Sequence, residues 1–342
     1  MTRRGSMRVW LGIVISMVFL LLAIGNVEWQ DVLRAWRAAR IVPLVGGLAL
    51  LIVAWGIAAV RWRLILAPAP HLRIRDTFAY IMIGFFANSV LPFRLGEVAK
   101  VTLMGRQRNL GISRTLGSVI LERVMDLLSM VVILLILAMI MDIPPVIRAG
   151  MTTVSASGIL FIVVLALLSF QEERLQRMIA VLSRFVPESL TRRPAILLHN
   201  FGRGIRVIRN PFNFLGVFML TFAARLFGGS AVLLWLYAFN LPVPWFAAFF
   251  VLVVVNLGSA IPSSPGYIGV YHYLAILALS VWIPDRGPAL AYAIGTHALN
   301  MLANVSLGAW FLGREGISLQ AIRGLELSEV GDQSSNTVQA SH

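Results

Sequence analysis

Arg94, Glu97 and Lys100 stand three residues apart, just after Asn88-Ser89-Val90-Leu91-Pro92 in a largely apolar stretch. On a helix that begins beyond the proline, this spacing puts all three on roughly one face. Ionisable groups in an apolar setting must be paired or solvated, so Arg94 with Glu97 is read as a candidate site. A helix N-terminus at that point would add free N–H groups and a positive dipole end, which together with Arg94 suit a phosphate or a carboxylate. The plainer reading is a structural ion pair that pins the break in the chain, and it stays open.

A second cluster, Glu122, Arg123 and Asp126, sits near the start of a later apolar run. Glu122 and Asp126 share a helix face at i,i+4, and two acids beside one arginine need further positive partners. Arg94 or Lys100 is expected to supply them if its segment packs against this helix; otherwise the acids snorkel toward headgroups. Arg225 lies in the middle of an apolar run with nothing nearby in sequence to neutralise it, so it requires an acid from another helix or an anionic ligand. Farther on, Pro265, Gly266 and Gly269 mark a break, His272 follows it, and His297, Asn300 and Asn304 form a polar stripe. A histidine there can titrate near neutral pH and couple a proton to movement, but a packing role is as open, and Asn300 and Asn304 can simply join helices. No catalytic residue, metal site or cofactor is assigned: the chain has no Cys and no HExxH, Walker A or dinucleotide fingerprint.

These residues are carried by a chain of 342 residues, 58% hydrophobic and 13% charged. Soluble cores do not need that much apolar surface, and the excess falls in runs of about twenty residues, the length that crosses hydrocarbon of about 30 Å. The net charge of +14 does not point to nucleic acid. Lys100 is the lone lysine, and most of the arginines stand between apolar runs, where they set topology and meet anionic headgroups.

The fold expected is an all-α polytopic membrane protein with about six full spans and two opposed re-entrant helical hairpins; eight or more full spans is the alternative. Spans are placed at 9–24, 41–60, 116–141, 151–170, 213–239 and 288–312, with a short surface helix around Arg34, Arg37 and Arg40. The first run is read as a retained span, because no small-residue cleavage box follows it. The loop from about Arg61 to Asp76 is read as cytoplasmic, and so are both termini. The hairpins occupy 77–107 and 245–283, each broken by Pro and Gly near its centre, the pattern that points to a midplane substrate site in transporters. Residues 1–324 are taken as one transmembrane domain. It includes a basic amphipathic interfacial segment at 171–212 with eight Arg and three Glu, and a disordered tail follows at 325–342.

The stretch from Asn88 through Arg94-Leu95-Gly96-Glu97, the later Glu122-Arg123 with Asp126, and Pro262-Ser263-Ser264-Pro265-Gly266 with Gly269 resemble the lysylphosphatidylglycerol synthase transmembrane-region family, a group of flippase-like membrane proteins. The resemblance covers roughly residues 8–315, and the family's polar core maps onto Arg94, Glu97, Glu122, Arg123 and Asp126. The chain departs from the family's pattern at Tyr267 and His272, where many relatives carry a Gly and then an acid. The resemblance implies movement of an anionic lipid or lipid-linked headgroup across the cytoplasmic membrane. An anionic phospholipid and a polyprenyl-phosphate type of lipid are equally credible cargo. Transport is favoured over catalysis. The competing functions are a membrane enzyme acting on a lipid phosphate or lipid-linked glycan, and a non-transporting partner of a lipid-modifying envelope enzyme.

Overall fold

The computed structural model describes residues 3–25, 27–67, 69, 71–91, 95–141, 145–170, 210–258 and 263–318. Arg94, Pro262, most of the basic 171–212 segment and the 325–342 tail lie outside the described residues. Those described form helices and turns, with no strand among them. In chain order the helices are α1 (Arg3–Ile24), α2 (Trp29–Ala38), α3 (Ile41–Ile65), α4 (Ile74–Val90), α5 (Leu95–Gln107), α6 (Ile112–Ile140) and α7 (Pro145–Phe170). After these come α8 (Pro211–Ala238), α9 (Ala247–Gly258), a single 3-10 turn (Pro265–Tyr267), α10 (Val270–Leu279) and α11 (Arg286–Arg314).

Every expected span and hairpin arm is a helix. Three of them, α3, α6 and α8, are long and apolar enough by themselves to cross a membrane. Local chemistry sets several of the starts. Pro145 and Pro211 occupy the first helical position, where a missing N–H costs nothing. The Asn210 side chain accepts from Phe212 N–H at 2.9 Å, and Asp285 caps α11 through Gly287 N–H at 2.9 Å. Large apolar side chains are exposed along α3 (Ile41, Val42, Val45) and α8 (Phe212, Leu215, Met219), as expected where lipid is the solvent.

One sequence boundary is corrected. The second apolar run does not end at Val60 with Arg61 opening a polar loop; α3 continues to Ile65, and Arg61 is buried. Trp62, Leu64, Ile65 and Leu66 keep the helix apolar after the arginine, and Trp62 is fully buried.

The chain divides into two compact units. The first comprises Met1–Val53, Phe78–Lys100 and Phe227–His342; the second comprises Ala54–Thr77 and Val101–Leu226. In the second unit, Ile65, Leu121, Met125 and Val217 form a core, with Leu64, Val124, Phe214 and Phe218 packed on it. Trp62 Nε1–H donates to Ser118 Oγ at 3.0 Å, so the burial of its ring leaves no polar atom unsatisfied. The loop after α3 is tied down by arginines that read as topology markers in the sequence. Arg63 donates to Leu72 O at 2.7 Å, Arg114 to Leu66 O at 2.9 Å, and Arg108 pairs with Asp76 at 3.1 Å.

In the first unit both broken segments fold back on themselves. Gly84 of α4 lies against Gly96 and Lys100 of α5, while Gly96 N–H donates to Asn88 Oδ1 at 2.8 Å, so residues farther from the break on one arm meet residues farther from it on the other. In the second hairpin, Gly258 of α9 meets Leu274 of α10, and Phe250 packs edge-on against Trp282 at 5.7 Å. The first hairpin depends on a glycine. A Cβ on Gly96 would fall on the Gly84 carbonyl and the Asn88 side chain, and carbonyl oxygen cannot swing away. Gly96→Ala is therefore expected to lower stability by about 1–3 kcal/mol, read as the shift in thermal unfolding of the detergent-solubilised protein; an unchanged unfolding temperature would contradict the close approach of the arms.

Candidate functional site

Along α6 the polar residues Thr115, Ser118, Glu122, Asp126 and Ser129 recur at spacings of three and four, and all five are buried. A buried polar stripe on an apolar helix requires partners from neighbouring helices. For the acids, α3 and α8 provide them within the second unit. Arg61 donates from Nη2 to Glu122 Oε1 at 2.9 Å and from Nη1 to Asp126 Oδ1 at 2.7 Å. The same Nη1 reaches Thr221 Oγ1 at 3.1 Å, and that hydroxyl donates to Val217 O one turn back on α8 at 2.8 Å.

Asp126 is shared. Arg225 Nη2 stands 3.1 Å from its Oδ1, and Arg123 Nη1 lies 3.6 Å from its Oδ2. Exposure grades across the cluster: the side chains of Glu122 and Arg61 are 2% and 5% exposed, those of Asp126 and Arg225 are 11% and 17%, and that of Arg123 is 49%. Arg61 and Glu122 thus form a sealed inner pair, while Arg225 and Arg123 face outward from a common carboxylate. With every group ionised, these three guanidiniums exceed the two carboxylates by one positive charge.

Among the described residues, the positive charge that Glu122 and Asp126 require is supplied by Arg61, a residue that the sequence reading did not single out. Arg61 is bound to both acids. Arg94 lies outside the described residues, and Lys100 Nζ is 3.9 Å from Glu97 Oε2 on its own helix. Arg225 finds an acid on another helix, one of the two solutions open to it. At the N-terminus of α5, the N–H of Gly96 in the first turn donates to Asn88. Arg61 was missed because a basic residue at the end of an apolar run reads as a positive-inside marker. The available signal was the apolar Trp62, Leu64 and Ile65 that follow it, which continue the buried stripe.

In the first unit, the Pro/Gly break is shaped by backbone conformation. Gly266 (φ 71°), Tyr267 (φ 59°) and Gly269 (φ 87°) are all left-handed. Gly269 presses against the α1 backbone at Ser16, where a Cβ would overlap the Ser16 carbonyl, and Ser264 N–H donates to Ser16 Oγ at 2.8 Å. A Cβ on Gly266 would meet Met301 of α11 at 3.4 Å and the carbonyl of Ser89 at 3.8 Å, so this turn, which Pro265 opens, lies against the end of α4.

His272 Nδ1 accepts from Gly269 N–H at 3.2 Å, so from the first turn of α10 its ring closes back on the N-cap residue. Its ring stacks on His297 with centroids 4.8 Å apart, and Tyr271 meets His297 edge-on at the same separation while its hydroxyl lies 3.1 Å from Thr296 Oγ1. Asn304 Nδ2 donates to Asn300 Oδ1 at 2.9 Å along α11, so the two amides bond to each other. Because His272 completes a helix start, His272→Ala is expected to lower stability by about 1 kcal/mol, a shift of a few degrees in thermal unfolding; no shift would contradict this closure.

A family model described as the lysylphosphatidylglycerol synthase TM region matches residues 9–308. The chain is also similar to a UPF0104 membrane protein, MJ1078, of Methanocaldococcus jannaschii, at 28% identity over 228 residues that cover 66% of this chain and 92% of that protein. No solved structure matches.

Proposed function

Because the chain belongs to the lysylphosphatidylglycerol synthase transmembrane-region family and is a helical membrane protein, we propose that it is a translocase carrying the headgroup of an anionic lipid between leaflets of the cytoplasmic membrane. The observation that carries this reading is the cluster of Arg61, Arg225 and Arg123 around Glu122 and Asp126, inside helices apolar enough to span a bilayer. Charges cost several kcal/mol in such a setting, roughly 2.5–3.5 each on the gentler scales, and persist where a polar path is needed.

The geometry supports a division of labour. Arg61 is committed to both acids and holds the cluster together. Asp126 serves as an internal counter-ion for Arg225 when no cargo is present. A lipid phosphate approaching from the exposed side would take over Arg225 and Arg123, and Asp126 would remain satisfied by Arg61. Arg61 Nε, which has no hydrogen-bond partner among the described residues, is one further buried donor inside the cluster. Acyl or prenyl chains stay in lipid throughout, so only the headgroup needs the polar route. Six full spans and cytoplasmic termini complete this reading.

The test is lipid movement in liposomes that contain the purified protein. Labelled phosphatidylglycerol, or a labelled polyprenyl phosphate, should reach the opposite leaflet with its mass unchanged, and Arg225→Gln should lose this activity while remaining inserted. A chemically altered lipid would favour a membrane enzyme instead, and equal movement with the variant would remove the cluster from the route.

A further inference from the structure

The short helix α2 presents three different environments around its circumference. Successive residues advance by about 100°, which gathers Asp31, Val32 and Ala35 on one side. Val32 is buried, Asp31 and Ala35 are half-buried, and this side meets the start of α11, where Asp31 lies against Gly287. Trp29 and Leu33 turn a second side outward, 56% and 57% exposed. Trp36 lies at the edge of that side, its indole N–H donating to Ala291 O at 3.1 Å. The third side carries Gln30, Arg34 and Arg37, all exposed, and Arg40 follows just beyond the helix. Arg34 pairs with Asp31 but keeps 74% of its side chain in the open.

A helix in the middle of a bundle has no use for a charged side, and a helix in water has no use for an exposed tryptophan beside an exposed leucine. Both sides are satisfied together where hydrocarbon meets headgroups, with the helix lying along the boundary. The turn from α1 into α2 supplies that orientation, since the two axes differ by 83°. The polar side is basic, which selects the sign of the headgroup.

We propose that α2 is an interfacial helix that gathers anionic phospholipid, with Trp29 and Leu33 set among the acyl chains and Arg34 and Arg37 on the headgroup phosphates. The binding surface is separate from the buried cluster and does not depend on translocation. Its role would be to raise the local concentration of anionic lipid beside the protein, by roughly fivefold for each arginine engaged at the surface.

Trp29 reports directly on both halves of the proposal. The full-length protein is placed in phosphatidylcholine nanodiscs that contain the same mole fraction of a brominated-chain lipid, either phosphatidylglycerol or phosphatidylcholine. The Trp29 signal is the difference between the wild type and Trp29→Phe. Brominated phosphatidylglycerol is expected to quench that signal more strongly than brominated phosphatidylcholine, and the excess should disappear in Arg34→Gln/Arg37→Gln while quenching by phosphatidylcholine remains. Absence of Trp29 quenching by either lipid would overturn the acyl-chain placement. Equal quenching by the two lipids in the wild type, or an excess that survives in the double variant, would overturn the headgroup selection. Because the measurement is made at equilibrium, failure of the transport reading leaves it unaffected.

Discussion

Arg61→Gln is expected to destabilise the protein by about 3–5 kcal/mol, the cost of leaving buried charge uncompensated. Glu122 loses the guanidinium bound to it at 2.9 Å and stays in a site where its side chain is 2% exposed. Asp126 loses its nearest cation but keeps Arg225 and Arg123. The damage should therefore concentrate on Glu122 and be repairable there. Arg61→Met combined with Glu122→Leu removes one charge of each sign, fills similar volume with apolar atoms, and is expected to recover most of the lost stability. Thermal unfolding and the monodisperse fraction in mild detergent measure both effects. If Arg61→Gln unfolds at the wild-type temperature, Arg61 is not the group that keeps the acids in place. If the double variant is no better than the single, the pair contributes more than mutual neutralisation.

Arg225→Gln is expected to slow translocation of an anionic lipid by roughly ten- to a hundredfold, the consequence of losing a charged hydrogen bond worth about 1.5–3 kcal/mol at the headgroup. Its effect on stability should be small by comparison, because Asp126 is still held by Arg61 at 2.7 Å. The two arginines are thus expected to separate: substitution of Arg61 should act on stability, and substitution of Arg225 on the proposed lipid movement. Asp126→Asn supplies a change of opposite sign. It removes the carboxylate charge 3.1 Å from Arg225, so binding of anionic lipid should tighten while release slows. Initial rates in the liposome assay, with lipid retention after detergent extraction, separate these outcomes. Wild-type rates in Arg225→Gln, or weaker lipid retention in Asp126→Asn, would contradict the counter-ion role.

Much of the fold was legible in one dimension, because its cause is local. Runs of about twenty apolar residues can cross hydrocarbon only as helices whose backbone bonds are satisfied internally. Pro and Gly residues are tolerated inside α3, α8 and α11, whereas Pro clustered with Gly and polar residues in mid-run, as around Pro92 and Pro265, marks a break, which is why those two stood out. The boundaries shifted by a few residues for equally local reasons. α3 extends beyond Val60 because Trp62, Leu64 and Ile65 can be buried, and α8 begins at Pro211 because Asn210 can cap it.

The candidate cluster was half legible. Glu122 and Asp126 announced themselves by an i,i+4 spacing inside an apolar helix, and Arg225 by having no neighbour to neutralise it. What they bind did not follow from spacing. Arg61 looked like one more positive-inside residue among Arg63, Arg73 and Arg75, and the apolar Trp62, Leu64 and Ile65 after it were the one sequence sign of its burial.

The sequence by itself determined that this is a helical membrane protein of its family, where its helices break, and which polar residues must find partners. Only the tertiary structure decided who those partners are. Arg61 lies 61 residues from Glu122, 65 from Asp126 and 160 from Thr221, so their meeting depends on how α3, α6 and α8 pack within one unit. Charge neutralisation demands a partner of opposite sign within a few ångströms, but it does not specify where in the chain that partner must come from.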